Sequence, residues 1–119
     1  MAPEGEQCYL PGKEAYDEYT TLVKAPNWRN QITLESLEKM REFDAFSSIE
    51  LMPPTALLII PAEKESLVLS YMDAVKAIYE KAQPPKDMIV LPIRHFEIYR
   101  EPWLSKSADA AINWFKQYL

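Results

Sequence analysis

Glu65 and His95 are the two residues whose types and placement could do chemistry together. The only histidine of the chain closes the apolar run Met88-Ile-Val-Leu-Pro-Ile-Arg-His95, and Glu65 closes Pro54-Thr-Ala-Leu-Leu-Ile-Ile-Pro-Ala-Glu-Lys-Glu65. Imidazole titrates near neutrality, so His95 is a candidate general base. A carboxylate that accepts a hydrogen bond from its far nitrogen would fix the tautomer and stabilise the imidazolium. Glu65 is the candidate for that part, and Glu63 competes for it. Each also has a plainer role, as a hydrogen-bonded loop histidine and as an acid favoured by the dipole at a helix N-terminus.

These residues need a scaffold that brings them to one edge. Thr55 to Ile60 is a continuous apolar run bounded by prolines, short enough for a strand buried on both faces. Ser66 to Ala82 carries Leu69, Met72, Ala74, Val75, Ala77, Ile78 and Tyr79 at helical spacing, and Gln83-Pro84-Pro85-Lys86 stops it. Asp87 to Leu91 predicts a second strand, ended by Pro92. Ser105 or Ser107 caps a last helix with Ala108, Ala111, Ile112, Phe115 and Leu119 on one side. Strand, helix, strand, helix at this spacing is a βαβα unit of the α/β class with two parallel strands. Such a unit delivers Glu65 and His95 to the carboxyl ends of adjacent strands, where α/β enzymes keep their reactive groups. Two parallel strands are only part of a sheet, because parallel sheets are normally larger and covered on both faces.

Upstream, residues 1 to 10 form a loose lead-in. Lys13 to Val23 places Ala15, Tyr16, Tyr19, Leu22 and Val23 at helical spacing, and Pro26 biases Ala25 away from helix. Thr33 is the N-cap of a second helix carrying Leu34, Leu37, Met40 and Phe43/Phe46, with Glu35 in its first turn. Two regions follow: 1–54, a helical lead-in, and 55–119, the βαβα part.

Several chemistries are excluded or disfavoured. Gly5 and Gly12 are the only glycines, so no phosphate loop, dinucleotide fingerprint or nucleophile elbow occurs in the last 107 residues. One histidine and one cysteine far apart offer no metal-ligand spacing, and no cofactor is expected. Cys8 has neither a tight turn nor a base near it, so it is expected to be an ordinary thiol. Trp28, Trp103, Trp114, Tyr71 and Phe96 are expected to pack core and rim, with Trp103 and Phe96 as alternative linings for an acyl pocket. A net charge of −5 disfavours nucleic acid and anionic membranes as partners. The longest apolar run, Ala56 to Ile60, falls far short of the roughly 18 residues of a membrane span. A lone thiol and an acidic N-terminus without signal character point to the cytoplasm.

The series Pro54-Thr-Ala-Leu-Leu-Ile-Ile, Ala62-Glu-Lys-Glu65, Pro85-Lys86, His95-Phe-Glu-Ile-Tyr99 and Asn113-Trp-Phe-Lys-Gln-Tyr-Leu119 resembles the C-terminal half of α/β-hydrolases. The nearest type is similar to the dienelactone-hydrolase-like and polyketide-transferase-like enzymes of fungal secondary metabolism. Pro11-Gly-Lys-Glu-Ala-Tyr16 and Trp28-Arg-Asn-Gln-Ile-Thr-Leu-Glu-Ser36 resemble the cap and linker region before that half. The resemblance implies a partial α/β-hydrolase fold and a triad in the order Ser, acid, His. Its acid falls on Glu65, where the pattern usually has Asp, and its base on His95. Arg94 stands where a glycine is usual. The nucleophile elbow, Gly-x-Ser-x-Gly, has no counterpart in these residues. The implied chemistry is ester or thioester hydrolysis, or acyl transfer, on a small acyl substrate. It requires a complementing half, and the chain alone is expected to be inactive. The alternative expectation is a non-catalytic remnant or interaction module. It would pair its exposed sheet edge with another chain, or with a second copy in a homo-oligomer.

Overall fold

In a computed structural model of the chain, Leu57–Ile59 (β1) and Lys86–Met88 (β2) pair in parallel, Leu57 opposite Lys86 and Ile59 opposite Met88. Residues 1–3, 5–10, 12–22, 26–44, 46–52, 55–65, 67 and 70–119 are described. They fall into two units, Met1–Asp44 and Ala45–Leu119.

The first unit holds α1, Lys13–Leu22, and α2, Leu34–Glu42. Gly12 precedes α1 with φ +119°, a backbone conformation that favours glycine. Ala15 of α1 is fully buried. The expected helix end at Val23 lies outside the described residues. Thr33 caps α2 as expected, its hydroxyl oxygen accepting from the Ser36 N–H at 3.1 Å. Of the expected apolar stripe, Phe43 and Phe46 lie beyond the helix. None of the residues of α2 is buried, and Phe43 turns to an extended conformation at its C-cap.

In the second unit the strands are shorter than the sequence predicts, and the cause is proline. Pro61, Pro85 and Pro92 have no N–H to give to a ladder. The pairing nevertheless runs on past the strands. The Ile89 N–H donates to Ile59 O and the Leu91 N–H to Pro61 O, each at 2.9 Å. Ala62 and Leu91 then form a parallel bridge, the Glu63 N–H donates to Leu91 O at 2.8 Å, and the Lys64 N–H to Ile93 O at 2.9 Å. Burial follows this extension rather than the strands. β1 is half-buried throughout, not buried on both faces as expected. Pro61, Ala62, Leu91 and Ile93 are buried, with Ile60, Ile89, Ile98 and Trp103 packed on that cluster. The core thus lies directly beneath the segments that carry Glu65 and His95.

The crossover helix α3 spans Tyr71–Lys81 and buries Val75. Leu69 and Ser66, assigned to this helix from the sequence, lie outside the described residues. The end of α3 is tied to the start of β2. Lys86 Nζ donates to the carbonyls of Tyr79 at 2.5 Å and Glu80 at 3.1 Å, and it lies over the Tyr79 ring, 4.7 Å from the centroid. A cation on the last carbonyls of a helix complements its dipole. The turn Ile49–Leu51 packs with α3, and Glu50 pairs with Lys81 at 3.3 Å.

α4 spans Trp103–Tyr118 and begins earlier than a serine cap predicts. Pro102 suits a helix start because the lost N–H would have no partner there. Ser105 instead donates its hydroxyl to Glu101 Oε1 at 2.7 Å, and Ser107 donates to Leu104 O at 3.0 Å. The predicted apolar side also differs. Ala108, Ile112, Phe115 and Leu119 are exposed, while Trp103, Ser107, Ala110 and Trp114 are half-buried. Ala111, half-buried too, is the one member of that set with partial cover. Helical spacing fixes which residues share a side but not which side finds cover. The described residues therefore form a mixed α/β arrangement of helices and a small two-stranded parallel sheet.

Candidate acid–base site

The register of the sheet decides what meets at its carboxyl end. Leu57 lies opposite Lys86 and Ala62 opposite Leu91, so each residue of the first segment faces the one 29 positions later (86 − 57 and 91 − 62). Extended to Lys64 and Ile93, the same offset brings Glu65 level with Arg94, one residue before His95. His95 then opens a 3-10 turn, His95–Tyr99, which swings its ring toward Glu65.

The His95 Nδ1–H donates to Glu65 Oε2 at 2.5 Å. An ionised carboxylate can only accept, so this contact places the ring proton on Nδ1 and leaves Nε2 as the basic nitrogen. The other carboxylate oxygen, Oε1, accepts from the Leu67 N–H at 2.7 Å. Both oxygens of Glu65 are thus engaged, and its side chain is only 3% exposed, against 37% for His95. A nearly buried carboxylate with two donors is held rigidly, while the imidazole it orients still reaches solvent.

Glu63, the competing acid, is exposed, and its N–H serves the backbone pairing to Leu91. The carboxylate that meets the histidine is Glu65. Arg94 has φ −83° and ψ 167°, extended backbone that any residue adopts, so no glycine is needed there. The Arg94 N–H donates to Glu97 Oε2 at 2.6 Å, which anchors the start of the turn. Phe96 is buried, with its ring 4.7 Å from that of His95 at 68°. Trp103 packs on the core cluster.

Two neighbours of the pair were not singled out from the sequence. Tyr99, 63% exposed, lies with its ring 6.4 Å from that of His95. Tyr71, expected only to pack, has its phenol held above the ordinary 10.0, first by burial and then by the charge of Glu65. Tyr99 falls one helical turn after His95, a spacing that could have marked it. Tyr71 has no such signal.

The pair can hold and pass one proton, taken at Nε2 and balanced by the Glu65 carboxylate. No cluster of three or more His, Cys, Asp or Glu that could hold a metal occurs among the described residues. Cys8 lies in the first unit, its thiol donating to Leu10 O at 3.1 Å. Among the described residues no helix is long and apolar enough to cross a membrane. No family model, curated protein or solved structure matches the chain.

Proposed function

We propose that Glu65 and His95 are the acid and base of a Ser-acid-His triad in an α/β-hydrolase-type enzyme. The nucleophile and oxyanion donors would come from a complementing segment or chain. The reaction class is ester or thioester hydrolysis, or acyl transfer, of the kind used in fungal secondary metabolism, in a cytoplasmic setting. The observation that carries this reading is the 2.5 Å hydrogen bond from His95 Nδ1 to a nearly buried Glu65, at the carboxyl end of two parallel strands. In that chemistry a serine hydroxyl attacks the acyl carbonyl while His95 Nε2 takes its proton. Glu65 keeps the ring oriented and balances the imidazolium, and the proton then passes to the leaving group. A donor pair such as backbone N–H groups must stabilise the oxyanion. Gly-x-Ser-x-Gly does not occur in these residues, so the chain by itself has acid and base without a nucleophile.

The test has two arms. The purified chain is assayed against short p-nitrophenyl esters and is expected to give no turnover above buffer. Turnover that disappears in His95→Ala would refute the missing nucleophile. The coding sequence and its neighbours are searched for an in-frame Gly-x-Ser-x-Gly segment, which is then joined to the chain. Joining is expected to create activity that falls by about four to six orders of magnitude in kcat on replacing the serine or His95. Activity indifferent to His95 would sink the triad assignment.

A second reading is favoured by one observation: among the described residues β1 and β2 form a sheet of two strands, so each leaves one edge without a described strand. An interaction module could extend this sheet with a strand from another chain. A cooperative, monomeric unfolding transition independent of concentration would count against it.

A further inference from the structure

The first unit, far simpler than the sheet-bearing one, contains a cavity of about 290 Å³. Its walls come from the lead-in, from α1 and α2, and from the segment between the helices. Tyr9, Tyr19, Trp28, Ile32 and Met40 supply the apolar surface, and Arg29 stands beside them. Such a volume is at the low end of small-molecule sites, roughly 300–1,000 Å³. It admits one compact molecule. Two phenol rings and an indole offer flat faces, which favour a flat partner. These walls are wet in the free protein: Tyr9 is 45%, Ile32 47% and Met40 55% exposed. A bound apolar body would remove that surface from water.

Arg29 gives the cavity its sign. Its Nη1 donates to the backbone carbonyls of Pro26 at 3.2 Å and Trp28 at 3.0 Å, which pins the guanidinium in the wall that also carries Trp28. A guanidinium has five N–H donors in a planar fork, and no carboxylate pairs with Arg29 among the described residues. Its remaining donors therefore suit a planar, bidentate anion. The wall is held in place from the other side as well, because the Asn30 side-chain amide donates to Met1 O at 2.6 Å.

We infer that residues 1–44 form a binding site for a small flat aromatic carboxylate, its ring among Tyr9, Tyr19 and Trp28 and its carboxylate on Arg29. The residues of this site all belong to the first unit, and the acid–base pair belongs to the second.

Naphthoate and its neutral methyl ester are the probes, titrated into the full chain with tryptophan fluorescence as the readout. Saturable quenching by naphthoate is expected, and it should be largely lost in Trp28→Phe. Arg29→Gln should weaken naphthoate binding by about tenfold, the scale of a charge-assisted hydrogen bond, without changing the affinity for the ester. Arg29→Lys should recover part of that loss. Arg29 is exposed, and circular dichroism of each variant checks that its fold is retained. No saturable quenching at millimolar naphthoate would overturn the inference. So would undiminished quenching in Trp28→Phe, or equal naphthoate affinity in the wild-type chain and Arg29→Gln.

Discussion

The backbone N–H of Lys64 donates to the carbonyl of Ile93 at 2.9 Å, one residue before Glu65 and two before His95, the candidate acid–base pair. The bond is the last rung of a parallel pairing that outlasts both strands. It sets the distance over which the Glu65 side chain must reach, and the turn at His95 covers the remainder.

The hydrogen bond between His95 and Glu65 should register as a coupling energy. His95→Ala removes the donor to Oε2 from a side chain only 3% exposed. The expected loss of stability is about 1.5–3 kcal/mol. Glu65→Gln and the double variant complete the cycle, with an expected coupling of about 1–3 kcal/mol in urea unfolding. Additive single effects would mean that the contact contributes nothing.

Ile93 ties the core to the site. It is 2% exposed, and its carbonyl holds Lys64. Ile93→Val should cost about 0.5–1.5 kcal/mol and Ile93→Ala about 2–5 kcal/mol. The histidine ring resonances should shift in the alanine variant, since the end of the pairing rests on this side chain. An alanine variant as stable as the wild type would remove Ile93 from the core.

Tyr71 should titrate apart from the other tyrosines. Burial and the Glu65 charge both disfavour its phenolate, so its pKa lies above the ordinary 10.0. The folded state then keeps a proton that the unfolded chain gives up, so the contribution to stability is fully present below 10.0 and is lost above it, as pH rises through the raised pKa of the folded state. Alkaline absorbance titration of the seven tyrosines should show one late phase, missing in Tyr71→Phe and shifted down in Glu65→Gln. A Tyr71→Phe profile that matches the wild type would contradict it.

Ser70 precedes α3 with φ 57° and ψ 24°, the left-handed region. A β-branched residue there meets the steric penalty in full, so Ser70→Val should destabilise by about 1–2 kcal/mol. Ser70→Gly should be near neutral, because relief of that strain is offset by the freedom glycine gains in the unfolded chain. Thermal unfolding of the two variants decides it, and equal midpoints would speak against the left-handed backbone.

How much of this was legible beforehand depends on the kind of information. The parallel pairing, the crossover helix and the meeting of Glu65 with His95 were expected from two apolar runs about thirty residues apart, each ending in a reactive side chain. Glu63 and Glu65 could not be separated, because both lie beyond the apolar run and only the three-dimensional path of the chain brings one carboxylate to the ring. The start of α4 was misplaced because two serines are better caps by type than Pro102, yet their hydroxyls are engaged with Glu101 and Leu104. The covered side of α4 was misjudged because periodicity says nothing about which neighbour arrives. The proximity of Tyr71 to Glu65 follows a left-handed serine, and no pattern in a sequence announces one. Trp28 was expected to be packing, and it lines a cavity that only the arrangement of four separate segments creates.

The divided carboxylate of Glu65 has a consequence for the order of folding. One oxygen grips the Leu67 N–H, where the crossover begins, and the other grips His95, just past its end. The two grips are separated by most of a thirty-residue loop, whose closure costs entropy before any contact rewards it. The pair therefore forms only when the whole crossover has closed. A spectroscopic signal from the imidazole of His95 would report closure of this crossover, and a refolding experiment could be timed by it.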